Sequence, residues 1–160
     1  MSVSIKKGLS FGLTSGAITT LGMVVGVNAS TSSRLAVIAG IVAIAIADAF
    51  SDAVAMHVSE ESEGGHSRRE VMEATIATFL AKFIFAMTFV LPIWFLPLDV
   101  AVLIDLVWGL SIMTVVNILL ARSQNESVIR VILEHLAIAI VVVMITYFVG
   151  LFLSTIISES

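Results

Sequence analysis

Residues 136–153 read LAIAIVVVMITYFVGLFL, a stretch with nothing more polar than Thr146 and Tyr147. A run of this length crosses about 30 Å of hydrocarbon as one helix. A helix also keeps every backbone polar group bonded within its own segment, which lipid demands. Outward from this run, the charges gather in short clusters and leave four more apolar stretches. The spacing predicts spans at about 8–28, 35–58, 71–95, 98–121 and 131–156, each near the ~20 residues a crossing needs. Pro92 and Pro97, around Ile93, Trp94, Phe95 and Leu96, predict a tight turn at the membrane boundary between the third and fourth spans. Strand-type alternation persists nowhere long enough for a barrel.

Composition agrees. Of 160 residues, 59% are apolar and 12% charged, against roughly 45–50% and about 25% in an ordinary soluble chain. So small a chain in water would expose much of that apolar content. The expected class is an all-α integral membrane protein with a single transmembrane domain over residues 1–160, seated in a lipid bilayer. The chain has no cysteine, which excludes disulfide scaffolds, zinc–thiolate sites, iron–sulfur clusters and thiol catalysis. A net charge of -4 built from few charges speaks against nucleic acid as a partner.

Orientation follows from the basic residues. Lys6, Lys7, Arg68, Arg69, Arg122 and Arg130 fall on one side of a five-span chain, Arg34 falls on the other, and Lys82 lies inside a span. The positive-inside rule then puts the N-terminus and the connections 59–70 and 122–130 in the cytoplasm. The connections 29–34 and 92–99 and the C-terminus lie outside. With no sorting signal in view, a prokaryotic plasma membrane is the expected host.

The first span places Gly8, Gly12 and Gly16 at four-residue spacing, followed by Gly22 and Gly26. Such a face lets backbones approach closely, a main source of helix association in lipid. It fits contact with another helix of the same chain, and it equally fits a homodimer with this span at the two-fold axis. Ser15, Thr19 and Met23 lie along the same span, and its hydroxyls fit the lining of a solute path or bonds back to their own helix.

The second span and its end, residues 47–63, read ADAFSDAVAMHVSEESE. Asp48 and Asp52 stand one helical turn apart, and the spacing predicts Ser51 on their face. An ionised Asp near a span centre costs about 2.5–3.5 kcal/mol even on insertion scales, so two of them point to function or a firm partner. Asp48 and Lys82 each lie about 11 residues from the cytoplasmic end of their spans, a common depth of about 16 Å. This predicts an Asp48–Lys82 ion pair and leaves Asp52 without a counter-ion, free to hold a cation or a proton. Asp105 is expected nearer the outer face, as a solvated residue at a cavity mouth. On the cytoplasmic side, Glu60, Glu61 and Glu63 precede the helix-breaking Gly64-Gly65, and Ser67 to Glu70 reads as a capping box. Glu60, Glu63, Glu70, Glu73 and His66 are therefore candidate ligands of a hard divalent cation. The same residues also suit plain solvation of a helix hairpin. His57, Glu134 and His135, at similar depth, fit an extension of that set or ordinary interfacial polar residues.

With these segments in hand, the chain resembles the vacuolar iron transporter family over nearly its whole length. The resemblance is carried by FGLTSGAITTLGMVVGVNAS (11–30), IADAFSDAVAMHVSEESE (46–63), TFLAKFIFAMTFVLPIWFLP (78–97) and the start and Thr-Tyr-x-x-Gly end of RVILEHLAIAIVVVMITYFVGLFL (130–153). It implies a five-helix homodimer with a cytoplasmic N-terminus and a metal path between the subunits. It also implies export of ferrous iron or manganese from the cytosol, and no permanently bound cofactor is expected. No enzyme activity is expected either, because the intramembrane residues offer no convincing nucleophile–base pair or His-rich metal cluster. Two positions depart from the pattern: Ser15 stands where the family commonly has Asp, and Asp52 where it commonly has Met. The long cytoplasmic metal-binding domain of some members is reduced to residues 59–70. The expected function is divalent metal export by proton antiport. The alternative is a membrane-embedded protein that binds or senses metal without moving it.

Overall fold

The structure is a computed structural model that describes residues 2–158. It is helical from end to end: α1 (Val3–Thr31), α2 (Arg34–Glu63), α3 (Arg68–Thr88), α4 (Val90–Phe95), α5 (Leu98–Gln124) and α6 (Val128–Ser158). With α3 and α4 taken as one span, five helices are long and apolar enough to cross a membrane. The helices overrun the predicted spans at most ends. The reason is that hydrogen bonding continues past the last lipid-facing residue until a cap intervenes. Ser2, Ser33 and Ser67 each cap a helix by accepting from a backbone N–H three residues on. The Ser67–Glu70 capping box is formed in full. Gly64 and Gly65 take φ of 68° and 79°, values that favour residues without a Cβ, and they turn the chain from α2 into α3.

The predicted loop at 92–99 is much shorter than expected. Pro92 lies in the first turn of α4, where its missing N–H would have had no partner anyway. Only Leu96 and Pro97 separate α4 from α5. Arg34, the one basic residue on its side of the chain, reaches across to this corner. Its guanidinium donates to the carbonyls of Trp94 (3.1 Å) and Leu96 (2.7 Å), groups at the end of α4 that have no helical partner.

α1 is the central helix, packed against α2, α3, α5 and α6. Its glycines explain why. Gly8 and Gly12 sit against the backbone of α3 at Ala74 and Thr78, and Gly16 sits against Lys82. Gly22 and Gly26 face Val142 and Thr146 of α6. The glycine stripe is thus used within the chain, the plainer of its two readings, and it no longer argues for a two-fold axis at α1. The core gathers around Ala17, Leu21, Val24, Ile41, Phe85, Phe89 and Met113. α6 is the least buried span, as suits a helix whose surroundings are acyl chains.

A Cβ added at Gly12 would stand 2.6 Å from the Thr78 carbonyl oxygen, whereas one at Gly16 would meet the flexible Lys82 Cγ at 3.2 Å. Gly12→Ala is therefore expected to destabilise the bundle by about 1–3 kcal/mol, and Gly16→Ala by less. Thermal unfolding in detergent micelles measures both.

Candidate functional site

Three helices meet at one lysine. Gly12 and Gly16 let α1 lie so close to α3 that the side chain one residue before Gly16 comes within reach of Lys82. Lys82 is 1% exposed. Its ammonium donates to Ser15 Oγ of α1 (2.9 Å) and pairs with Asp48 Oδ2 (2.6 Å) and with Asp52 Oδ2, both of α2. Of its three N–H donors, two are hydrogen-bonded, to Ser15 and Asp52, and Asp48 Oδ2 is held by charge without a hydrogen bond. Ser15 Oγ in turn donates to Asp52 Oδ2 at 2.7 Å. The Asp48–Lys82 pair predicted from depth is present. The expectation for Asp52 is corrected: it shares the same ammonium. One turn of helix brings both carboxylates to a single lysine, which depth arithmetic along separate helices does not reveal. Ser51 is exposed and takes no part, because the face common to Asp48 and Asp52 turns away from it.

Formal charges at the cluster sum to minus one. The acids are not sealed: their side chains are 24% and 18% exposed. Ser15 and Asp52, on different helices, are hydrogen-bonded to each other.

The candidate ligands at the basic end do not assemble as expected. Glu70 bonds the backbone N–H and hydroxyl of Ser67 and is consumed by the cap. Glu73 accepts from Ser2 (2.7 Å) and Arg69 (2.9 Å). Glu60 is 1% exposed and pairs with Lys7 at 2.5 Å, and Lys7 also holds Glu63 at 2.6 Å. His66 stands 4.0 Å from Glu60 and 3.6 Å from Glu63. Among the described residues, no three carboxylate or imidazole groups are placed to hold a metal ion. The cause is competition: Lys7 and Ser2 at the start of α1, and Ser67 and Arg69 at the start of α3, reach these acids first. Of the remaining histidines, His57 bonds Thr75 and lies 3.5 Å from Glu61, and His135 bonds the Val131 carbonyl. Glu134 pairs with Arg130.

Two hollows lie along α1. The larger, about 750 Å³, opens at the basic end beside Lys6, Lys7 and His135 and extends to Ser15 and Thr19. The smaller, about 270 Å³, lies between α1 and α6 and is lined by Gly22, Met23, Gly26 and Thr146. On α1 they are separated by Thr20 and Leu21, both buried. Ser15 is the residue the larger hollow shares with the lysine cluster; Lys82, Asp48 and Asp52 do not line it.

Asp105 differs most from expectation. It is not at a cavity mouth; it is 0% exposed, and neither carboxylate oxygen has a hydrogen-bond partner. Asn117, also 0% exposed and without a partner, was not singled out in the sequence at all. The signal was there: Ala101, Asp105, Gly109, Met113, Asn117 and Ala121 recur every four residues, and that stripe is the buried face of α5.

No family model, curated protein or solved structure matches the chain.

Replacing Lys82 by Met leaves two acids side by side with no counter-ion. Breaking a buried ion pair from one side costs about 3–5 kcal/mol. Lys82→Met is expected to lose stability in that range, and adding Asp48→Asn and Asp52→Asn to it is expected to recover most of the loss. Denaturant unfolding of the two variants in micelles checks both.

Proposed function

We propose that this chain is a transporter that exports a divalent cation from the cytoplasm in exchange for protons, with Asp48, Asp52, Lys82 and Ser15 as the exchange site. The observation that carries the reading is two partly exposed carboxylates against one buried ammonium, with Ser15 shared between that cluster and the hollow that opens at the basic end. In this reading the basic end is cytoplasmic, in accord with the positive-inside rule. The host is the plasma membrane of a prokaryotic cell.

The charge arithmetic favours exchange. With Lys82 protonated, the cluster carries minus one. A dication added to it would leave plus one, a costly state in low dielectric. If Lys82 gives up its proton as the dication enters, the cluster becomes neutral. Like-charge repulsion between dication and ammonium drives that release. Lys82 is then a tethered cation that holds the two acids until cargo replaces it. The cargo is Fe²⁺ or Mn²⁺, supported by the hard oxygen donors of Asp48, Asp52 and Ser15 and by the family resemblance. Glu60 and Glu63, at the entrance, would draw cations toward the site. Assembly as a homodimer rests on the resemblance alone, with a second copy facing the hollows along α1 and completing the ligand shell.

A second reading is favoured by one observation: Lys82 already pairs with both acids, so each has a counter-ion with no cargo present. On that reading the chain holds or senses metal and moves none.

Proteoliposomes loaded with a metal-sensitive dye separate the two. Wild-type protein is expected to take up Mn²⁺ in response to an imposed pH gradient. Asp52→Asn, which keeps the shape and removes the charge, is expected to lose at least about tenfold of that rate, the equivalent of one lost charge contact of about 1.4 kcal/mol. Calorimetric Mn²⁺ binding with no flux in the wild type would establish the second reading. Equal flux in both proteins would remove Asp52 from the mechanism.

A further inference from the structure

Asp105 plays no part in the exchange just described, yet it is the most completely enclosed acid in the chain. Its place follows from packing. Gly109 lies against Leu21, and Leu120, Ser123 and Gln124 share a hollow with the first turns of α1, so α5 runs antiparallel to α1. Asp105, one turn before Gly109, therefore stands level with Val24 and Val25. Lys82 packs against Gly16, about nine residues back along α1, a difference in depth of about 13 Å. Between the two acidic levels lie Ala17, Leu21, Phe85 and Met113, all buried and apolar.

We propose that Asp105 is a second proton-binding site, occluded in this conformation, through which the counter-proton enters from the end opposite the basic residues. The proposal rests on the proton-linked reading above. Two facts carry it: the side chain is 0% exposed, and both carboxylate oxygens lack a partner. A bare carboxylate in such a setting costs far more than a neutral acid, so the group must be relieved by a proton or by a cation. A metal cation needs about six oxygen ligands, and this site supplies the two of Asp105. A proton needs one. Binding forms a single O–H bond on one carboxylate oxygen with a proton taken from water, and release breaks that same bond.

No other charge competes. Among the described residues, the remaining titratable groups in this half of the bundle are Arg34, Asp99 and Tyr147. Arg34 is held by the Trp94 and Leu96 carbonyls. Asp99 is exposed on the first turn of α5. Tyr147 is exposed on α6, edge-on to Phe148. The helices packed on α5 contribute Val24, Val25, Phe89 and Ile93 to the buried core of this half, with no ionisable group. Since the side chain is sealed as the structure stands, exchange with water requires α5 to part from its neighbours at that end. Proton uptake at Asp105 then reports the opening of that end and no other.

Infrared difference spectroscopy on oriented proteoliposomes tests the site without relying on transport. Acid applied at the far side is expected to raise a protonated-carboxyl C=O band in wild type. Asp105→Asn is expected to abolish the band, and Asp105→Glu to shift it. Mn²⁺ flux driven by a pH gradient is expected to fall by about tenfold or more in Asp105→Asn, with calorimetric Mn²⁺ binding unchanged. A band that survives Asp105→Asn, or no titrating band in wild type, overturns the proposal. If wild type moves no cation, the transport reading fails on its own, and the band alone decides for or against Asp105.

Discussion

One ammonium group organises the middle of this bundle. Lys82 lies where lipid would surround it on an isolated helix, and each of the charges it meets would be costly there alone. Together, two carboxylates, an ammonium and a hydroxyl hold α1, α2 and α3 at one point. A buried pair adds less to stability than its contacts suggest, because desolvation offsets most of the Coulomb gain. Its influence lies in geometry. Sliding α2 by one turn against α3 would separate Lys82 from an acid, and withdrawing α1 would remove Ser15.

The glycines of α1 serve that contact. Gly8, Gly12 and Gly16 bring two backbones together over the half of the helix that ends at Lys82, and Gly22 and Gly26 do the same against α6 in the other half. The stripe therefore changes partner midway along α1. The two hollows flank the same midpoint, one toward the basic end and one toward the opposite end. Between them, at Thr20 and Leu21, α1 is buried, and the charged cluster at Ser15 lies level with the hollow at the basic end.

Much of this was legible beforehand. Spans, caps and the 64–65 turn are local: they depend on runs of apolar residues, on Ser at a helix start and on glycine where φ is positive. The Asp48–Lys82 pair was legible because two straight helices anchored at the same surface share a depth scale. The same arithmetic failed for Asp52 and Asp105. It measures height along a helix and says nothing of the direction a side chain faces around it. Asp52 points to Lys82, and Asp105 is fully buried, away from a mouth. The acids at the basic end are a different case: Lys7 holds Glu60 and Glu63, Arg69 holds Glu73 and Ser67 holds Glu70, partners that depth along one helix does not reveal.

By itself the sequence determined that the chain is a set of five membrane-length helices with acids buried among them. Hydrophobicity, capping and helix rise are properties of contiguous residues and need no neighbour to be expressed. Only the tertiary structure decided that the glycines of α1 face inward, that one lysine serves two aspartates, and that Asp105 is sealed without a partner. Rotation about each helix axis is set by how five helices fill space together, and no single segment carries that information.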